Sequence, residues 1–213
     1  MDFTDLFPFA SEIGYFGLGI ASFFGSLIPF VPVPIIILLV TMSVGDQFNI
    51  HALAILAAIT ATIAKQIIFY ISYTGRRIMN ETTRKRMKPF ERLAKKYGAI
   101  AAFVAAATPI PDDLVYIPLG LAKYNPKKFF VATLLGKIVL SYTIVLTSHF
   151  LGISLLEPFI ADIEDPTAIY MGIIVFGAVL TVLVILLLRL DWARILGKVA
   201  PWTLYEDENN SDP

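Results

Sequence analysis

Five stretches of this 213-residue chain are apolar over bilayer length, and two of the five are broken near the middle by prolines. A helix needs roughly 17 to 25 mostly apolar residues to cross the hydrocarbon core. Residues 50–75, 128–151 and 168–190 meet that need, with Lys65 inside the first and Lys137 inside the second. Residues 13–44 carry Pro29, Pro32 and Pro34, and residues 99–121 carry Pro109, Pro111 and Pro118. Proline removes a backbone donor and biases the preceding residue away from helical geometry, so each of these two stretches is expected to break there. With 57% hydrophobic and 16% charged residues and a mean hydropathy of +0.73, the chain reads as an all-α integral membrane protein.

Charge distribution sets the expected topology. Between Arg76 and Lys96 nine Lys or Arg stand against Glu81 and Glu91, a net of +7, which marks this loop as cytoplasmic under the positive-inside rule. The next polar stop, residues 123–128, has three lysines and no acid. Residues 99–121 are thus flanked by two loops of cytoplasmic type, and a single crossing would strand one of them outside. A re-entrant helical hairpin removes the conflict. Arms of about ten residues reach roughly 15 Å, the middle of the bilayer. Residues 13–44 have acids and no Lys or Arg at either flank, so their hairpin is expected to dip in from the opposite side. Residues 157–165, with four acids, would lie outside, and Arg189, Arg194, Lys198 and the tail 201–213 inside.

Pro32 and Pro34 lie 77 residues before Pro109 and Pro111, and Gly75 lies 77 before Gly152. Halves 13–75 and 99–152 therefore read as an inverted repeat: two opposed re-entrant hairpins, each followed by a transmembrane helix, joined by the basic linker 76–98 and followed by an extra span at 168–190. The hairpin tips fall on Pro29, Pro32, Pro34, Pro109, Pro111 and Gly120. Unwound backbone is tolerated in hydrocarbon where protein or a wet cavity covers it, and two tips meeting near the midplane cover each other. Broken helices also aim free backbone groups at a solute, which points to transport.

Asp112 and Asp113 follow the second proline pair, and an intramembrane carboxylate marks a pathway, a proton relay or an internal ion pair. The plainer reading is that one of them only caps the returning helix. Lys65 and Lys137 could pair with these acids or with a phosphate group, or snorkel to the interface. Arg76 and Arg77 serve as topological anchors attracting anionic lipids, with Arg76 also a pathway candidate. Residues 84–96 read as a basic amphipathic surface helix with Met87, Phe90, Leu93, Ala94 and Tyr97 on its apolar side.

The first twelve residues lack the basic start of a cleavable signal. With no cysteine and only His51 and His149, no metal site is expected; no phosphate-binding glycine loop, cofactor or nucleic-acid motif is present, and no enzyme is expected.

The element from Phe103 to Gly120, FVAAATPIPDDLVYIPLG, the earlier proline cluster from Pro29 to Pro34 and the pair Gly75-Arg76 together resemble the DedA family, part of the VTT group also called SNARE-associated Golgi protein-like. The resemblance covers residues 14–152. It implies two oppositely oriented re-entrant hairpins in a multi-pass cell-membrane protein that moves lipids, either polyprenyl-phosphate carriers or phospholipids. The chain departs from the family pattern in two respects: Gly25, Ser26, Val33 and Pro34 stand where acids are usual, and Asp112 and Asp113 where an arginine is common. The expected function is flippase-like or scramblase-like lipid translocation, open to proton coupling and to homo-oligomer formation. A small-solute or ion transporter and a non-transporting membrane scaffold are the alternatives.

Overall fold

The computed structural model describes residues 14–28, 33–44, 47–109 and 111–151, together with Ala178, Val182 and Leu186. The span expected at 168–190 apart from those three positions, the acidic loop, the tail, and Pro29 and Pro32 lie outside the described residues.

The described residues are all-helical: α1 Tyr15–Leu27, α2 Val33–Val44, α3 Ile50–Gly75, a 3-10 turn Arg76–Ile78, α4 Glu81–Ala107, α5 Asp113–Leu121 and α6 Pro126–Leu151. Of these, Ile50–Ile78 and Pro126–Phe150 are long and apolar enough to cross a membrane. Their starts are set by asparagine caps. Asn49 Oδ1 accepts from the backbone N–H groups of His51 and Ala52 at 2.9 and 3.1 Å. Asn125 Oδ1 accepts from those of Lys127 and Lys128 at 3.0 and 3.1 Å, with Pro126 preset for the first helical position.

The two long helices α3 and α6 pack along each other; α1 and α5 lie on α3, and α4 on α6. Two apolar clusters form the core. One joins Leu18, Leu38, Leu39 and Met42 of the α1–α2 pair to Leu53, Ala54 and Ala57 of α3 and Val145 of α6. The other joins Ala102 and Ala106 of α4, Tyr116 and Leu119 of α5, Phe69 of α3 and Phe129 of α6. Each helix pair thus packs at its own end of the α3–α6 frame.

Glycine allows the closest approaches. A Cβ at Gly120 would stand 2.7 Å from the Phe69 carbonyl oxygen, and one at Gly136 would stand 2.5 Å from that of Phe103. Gly120 is therefore a packing residue in the last turn of α5, pressed on α3, rather than part of a hairpin tip as the sequence reading had it. Pro118 differs from expectation too: α5 runs through it to Leu121, because in so short a helix its missing N–H forgoes one bond while its buried ring packs. Pro34 sits in the first turn of α2, where a proline is tolerated.

The basic segment likewise departs from a detached surface helix. α4 runs unbroken from Glu81 to Ala107, with Pro89 inside it. Met87 and Ala94 of its apolar side are buried and Phe90 packs on the core, so that side faces the protein; Tyr97 is exposed.

Candidate functional site

α4 ends at Ala107 and α5 begins at Asp113, so Thr108 to Asp112 form the break in which Pro109 and Pro111 lie. Pro109 and Pro111 thus lie in the interruption between the two helices. The break delivers both acids to one point. Asp112 occupies the N-cap position of α5, yet its side chain makes no capping hydrogen bond. It is turned instead toward two lysines: Oδ1 lies 3.0 Å from Lys65 Nζ and Oδ2 lies 2.6 Å from Lys137 Nζ. Asp113, one residue on, receives Lys65 Nζ on both oxygens at 2.9 Å. The capping reading therefore does not account for Asp112.

The result is a chain of alternating charge, Asp113, Lys65, Asp112, Lys137, drawn from α3, the break and α6. Formally it is neutral. Its side chains are 2% to 15% exposed, Asp113 least and Lys137 most. Ions this deeply withdrawn from water are stable only when paired, because desolvation costs several kcal/mol per ion. Lys65 has two acids and Lys137 has one, so Lys137 is the more loosely held cation.

The cluster borders a cavity of about 100 Å³ at the junction of the helix pairs. Ser22, Gly25 and Ser26 of α1, Ile35 and Leu39 of α2, Ala57 and Ala61 of α3, and Ser141 of α6 contribute to its wall, with Thr108, Pro109 and Pro111 from the break. Small residues at i, i+3 and i+4 on α1 place Ser22, Gly25 and Ser26 on one face, a signal the sequence carries but which was not read as a site. Two fully buried hydroxyls, Tyr116 and Thr133, lie one helical turn from Asp113 and Lys137 and were also not anticipated.

Arg76 is elsewhere. In the 3-10 turn after α3, eleven residues beyond Lys65 and roughly 16 Å along the axis, its Nη1 donates to the Leu121 carbonyl at 3.0 Å and its guanidinium pairs with Glu91. It ties the ends of α3 and α5 to α4 and takes no part in the charged cluster. His51 Nδ1 lies 3.2 Å from the Tyr142 hydroxyl and His149 Nδ1 lies 3.1 Å from the Ser43 carbonyl. Among the described residues no group of three His, Asp or Glu is arranged to hold a metal ion.

A second concavity, about 570 Å³, runs between α4 and α6. Ala99, Ile100, Phe103, Val131, Ala132 and Leu135 make it apolar, and Lys127 and Lys128 stand at its α6 N-terminal end.

Comparison with known proteins agrees with this architecture's expected kinship. The VTT domain family matches residues 33–150, more than half of the chain. A curated relative, undecaprenyl phosphate transporter A of Staphylococcus aureus (strain NCTC 8325 / PS 47), is 28% identical over 156 residues, covering 68% of this chain and 77% of the relative. No solved structure matches the chain. With the charged cluster and the proline break falling inside the matched region, the chain belongs to the VTT domain family, the membrane-protein group that includes DedA.

Proposed function

We propose that this protein moves a phosphate-bearing lipid across or within the cell membrane, with the cavity at the Lys65–Asp112–Asp113–Lys137 cluster as the point through which the head group passes. The observation that carries the reading is the placement of four mutually paired charges beside a cavity where a helix is interrupted. A purely structural ion network needs no cavity beside it and no unwound backbone. The name of the staphylococcal relative supports a polyprenyl-phosphate carrier as substrate. The apolar groove between α4 and α6, with two lysines at one end, favours a lipid over a small solute, since a solute has no use for such a surface.

The same reading takes the α1–α2 and α4–α5 pairs as opposed re-entrant hairpins of an inverted repeat in a multi-pass protein. The apolar part of α4, residues 97–107, and the nine residues of α5 each extend roughly 13 to 17 Å, half of the hydrocarbon thickness of about 30 Å. Residues 76–98 and the C-terminus then face the cytoplasm.

In this mechanism Lys137 is the residue that changes partner. A head-group phosphate entering the cavity competes with Asp112 for Lys137, while Lys65 stays with Asp113. If Asp112 accepts a proton it releases Lys137 for the phosphate without leaving an uncompensated buried anion, which couples proton uptake to lipid binding. Lysine suits this exchange because a flexible point charge tolerates varied phosphate geometry. No covalent step is involved, and the protein acts as a transporter rather than an enzyme.

The test is transbilayer movement of labelled polyprenyl phosphate and of labelled phospholipid in vesicles containing the purified protein, beside an Asp112→Asn variant. Movement of the polyprenyl phosphate by wild type and its loss in the variant support the reading. Equal movement by both forms, or none by folded wild type, defeats it.

A further inference from the structure

At the opposite end of α3 from its cap, a second group of cations collects, separate from the buried cluster. Lys123 adopts a left-handed backbone, φ 57°, the single positive-φ position among described non-glycine residues. It occupies the position past the end of α5 where glycine is usual. The Tyr124 N–H donates to the Leu119 carbonyl at 3.1 Å and the Lys123 N–H to the Gly120 carbonyl at 3.0 Å, a Schellman-type closure. A side chain other than Asn or Asp rarely sits in this conformation, and a strained position retained by a long charged residue directs attention to what that charge does.

The Lys123 ammonium is 3.6 Å from the centre of the Tyr73 ring, on the last turns of α3. That contact fixes the charge beside the 3-10 turn carrying Arg76 and Arg77. Arg76 is committed to Glu91 and to the Leu121 carbonyl, which is two residues from Lys123 and so locks the α5 end against the turn. Arg77 and Arg84, both exposed, have no ion pair among the described residues, and neither has Glu81, the other acid of this end. Burial, and the guanidinium groups of Arg77, Arg76 and Arg84, hold the Lys123 ammonium below the usual lysine range. Positive charge here is therefore under-compensated, the condition an anion relieves.

We infer that Lys123, Arg77 and Arg84, with Tyr73 as the platform for Lys123, form a phosphate-binding site at the basic end of the bundle, distinct from the central cavity. Its ligand is a phosphomonoester, carried on a lipid head group or free in solution. A monoester is preferred over a diester because its second negative charge suits a group of three cations whose charges act on one another. The inference stands without the transport reading, since it concerns binding.

The experiment measures binding of short-chain phosphatidic acid to the full-length protein in detergent by native mass spectrometry, with short-chain phosphatidylcholine as the diester control and inorganic phosphate as competitor. Wild type should retain phosphatidic acid over phosphatidylcholine. Lys123→Gly and an Arg77→Gln/Arg84→Gln double variant should each weaken it about tenfold, as expected for loss of a charge-assisted contact, while Lys123→Arg retains it. Lys123→Gly should melt no lower than wild type, because glycine suits the backbone; the double variant changes only exposed side chains and gives a second, independent reading. Displacement by inorganic phosphate assigns the site to the phosphate group itself, and absence of displacement to the lipid; either lies within the inference. Wild-type binding by Lys123→Gly or by the double variant overturns it, as does equal retention of phosphatidylcholine. Lys123→Gly should weaken retention by the same factor in an Asp112→Asn background, which separates this site from the central one.

Discussion

Both carboxylate oxygens of Asp113 lie 2.9 Å from the ammonium of Lys65, across 48 residues of sequence. This contact joins the start of α5 to the middle of α3 where both are almost fully buried. Removing Lys65 takes from Asp113 the cation that both of its oxygens face, at a cost of about 3–5 kcal/mol, whereas removing Asp113 leaves Lys65 with Asp112 at 3.0 Å. Lys65→Met should therefore lower the melting temperature sharply and Asp113→Leu by less. The double variant should recover much of the loss, because apolar replacement of a buried pair is often near neutral. A thermal melt of the four forms, wild type included, checks this; additive losses would mean that the two side chains act independently.

Lys137 should behave differently from Lys65. It has one carboxylate, and that carboxylate keeps Lys65 at 3.0 Å when Lys137 is lost. Lys137→Gln should therefore cost less stability than Lys65→Gln while abolishing lipid movement as fully. Melting and vesicle transport on the same two preparations decide the matter. A Lys137→Gln protein that transports normally would remove Lys137 from the mechanism.

Much of this arrangement was legible because the membrane makes charge expensive. Asp112, Asp113, Lys65 and Lys137 stand out in the sequence as ions within apolar stretches, where mutual pairing is one option beside capping, snorkelling and phosphate contact; the coordinates bring the four together. The limits of α3 were read correctly at both ends, since Asn49 caps its start and the basic run begins after Gly75. α6 starts two residues earlier than the apolar run because Asn125 and Pro126 are capping residues without hydropathy. What hydropathy could not show was steric. Gly120 and Pro118 both looked like breaks, yet one is a contact surface and the other packs within a helix. The direction of the apolar side of α4 was hidden for a related reason, as an amphipathic helix can turn that side to lipid or to protein with the same pattern. Ser22 was missed because a small hydroxyl on an apolar helix is unremarkable until a cavity faces it.

The glycines separate packing from backbone freedom. At Gly120 and Gly136 a Cβ would fall 2.5 to 2.7 Å from backbone oxygen, so Gly120→Ala and Gly136→Ala should each destabilise by about 1–3 kcal/mol through overpacking. Gly75, with ordinary helical angles and nothing within 4 Å of a would-be Cβ, should accept alanine neutrally or with a gain of about 0.5–1 kcal/mol. Melting temperatures of the three variants should fall on opposite sides of wild type. A destabilised Gly75→Ala would point to a requirement for that glycine other than packing.

The proposed opposed-hairpin topology makes a prediction that the chain is unusually suited to test, because it contains no cysteine and single cysteines can be introduced without a background. α4 spans 27 residues, roughly 40 Å, so length alone would let it cross. Its first half, however, is too basic to enter hydrocarbon, and as proposed above the apolar remainder reaches the midplane. Asn80, before α4, and Asn125, after α5, should therefore be labelled by a membrane-impermeant thiol reagent from the same side. Gln47, in the turn between α2 and α3, should be labelled from the other, since in the proposed topology α3 crosses between it and Asn80. All three positions are exposed, so failure to label cannot be blamed on burial. Labelling of Asn80→Cys and Asn125→Cys from opposite faces would mean that α4 and α5 together cross the bilayer. Asp112 and Lys137 would then meet within a through-going helical path rather than at the tip of a hairpin, and the proposed exchange of Lys137 between carboxylate and phosphate would lose the symmetric access from both leaflets that opposed tips would provide.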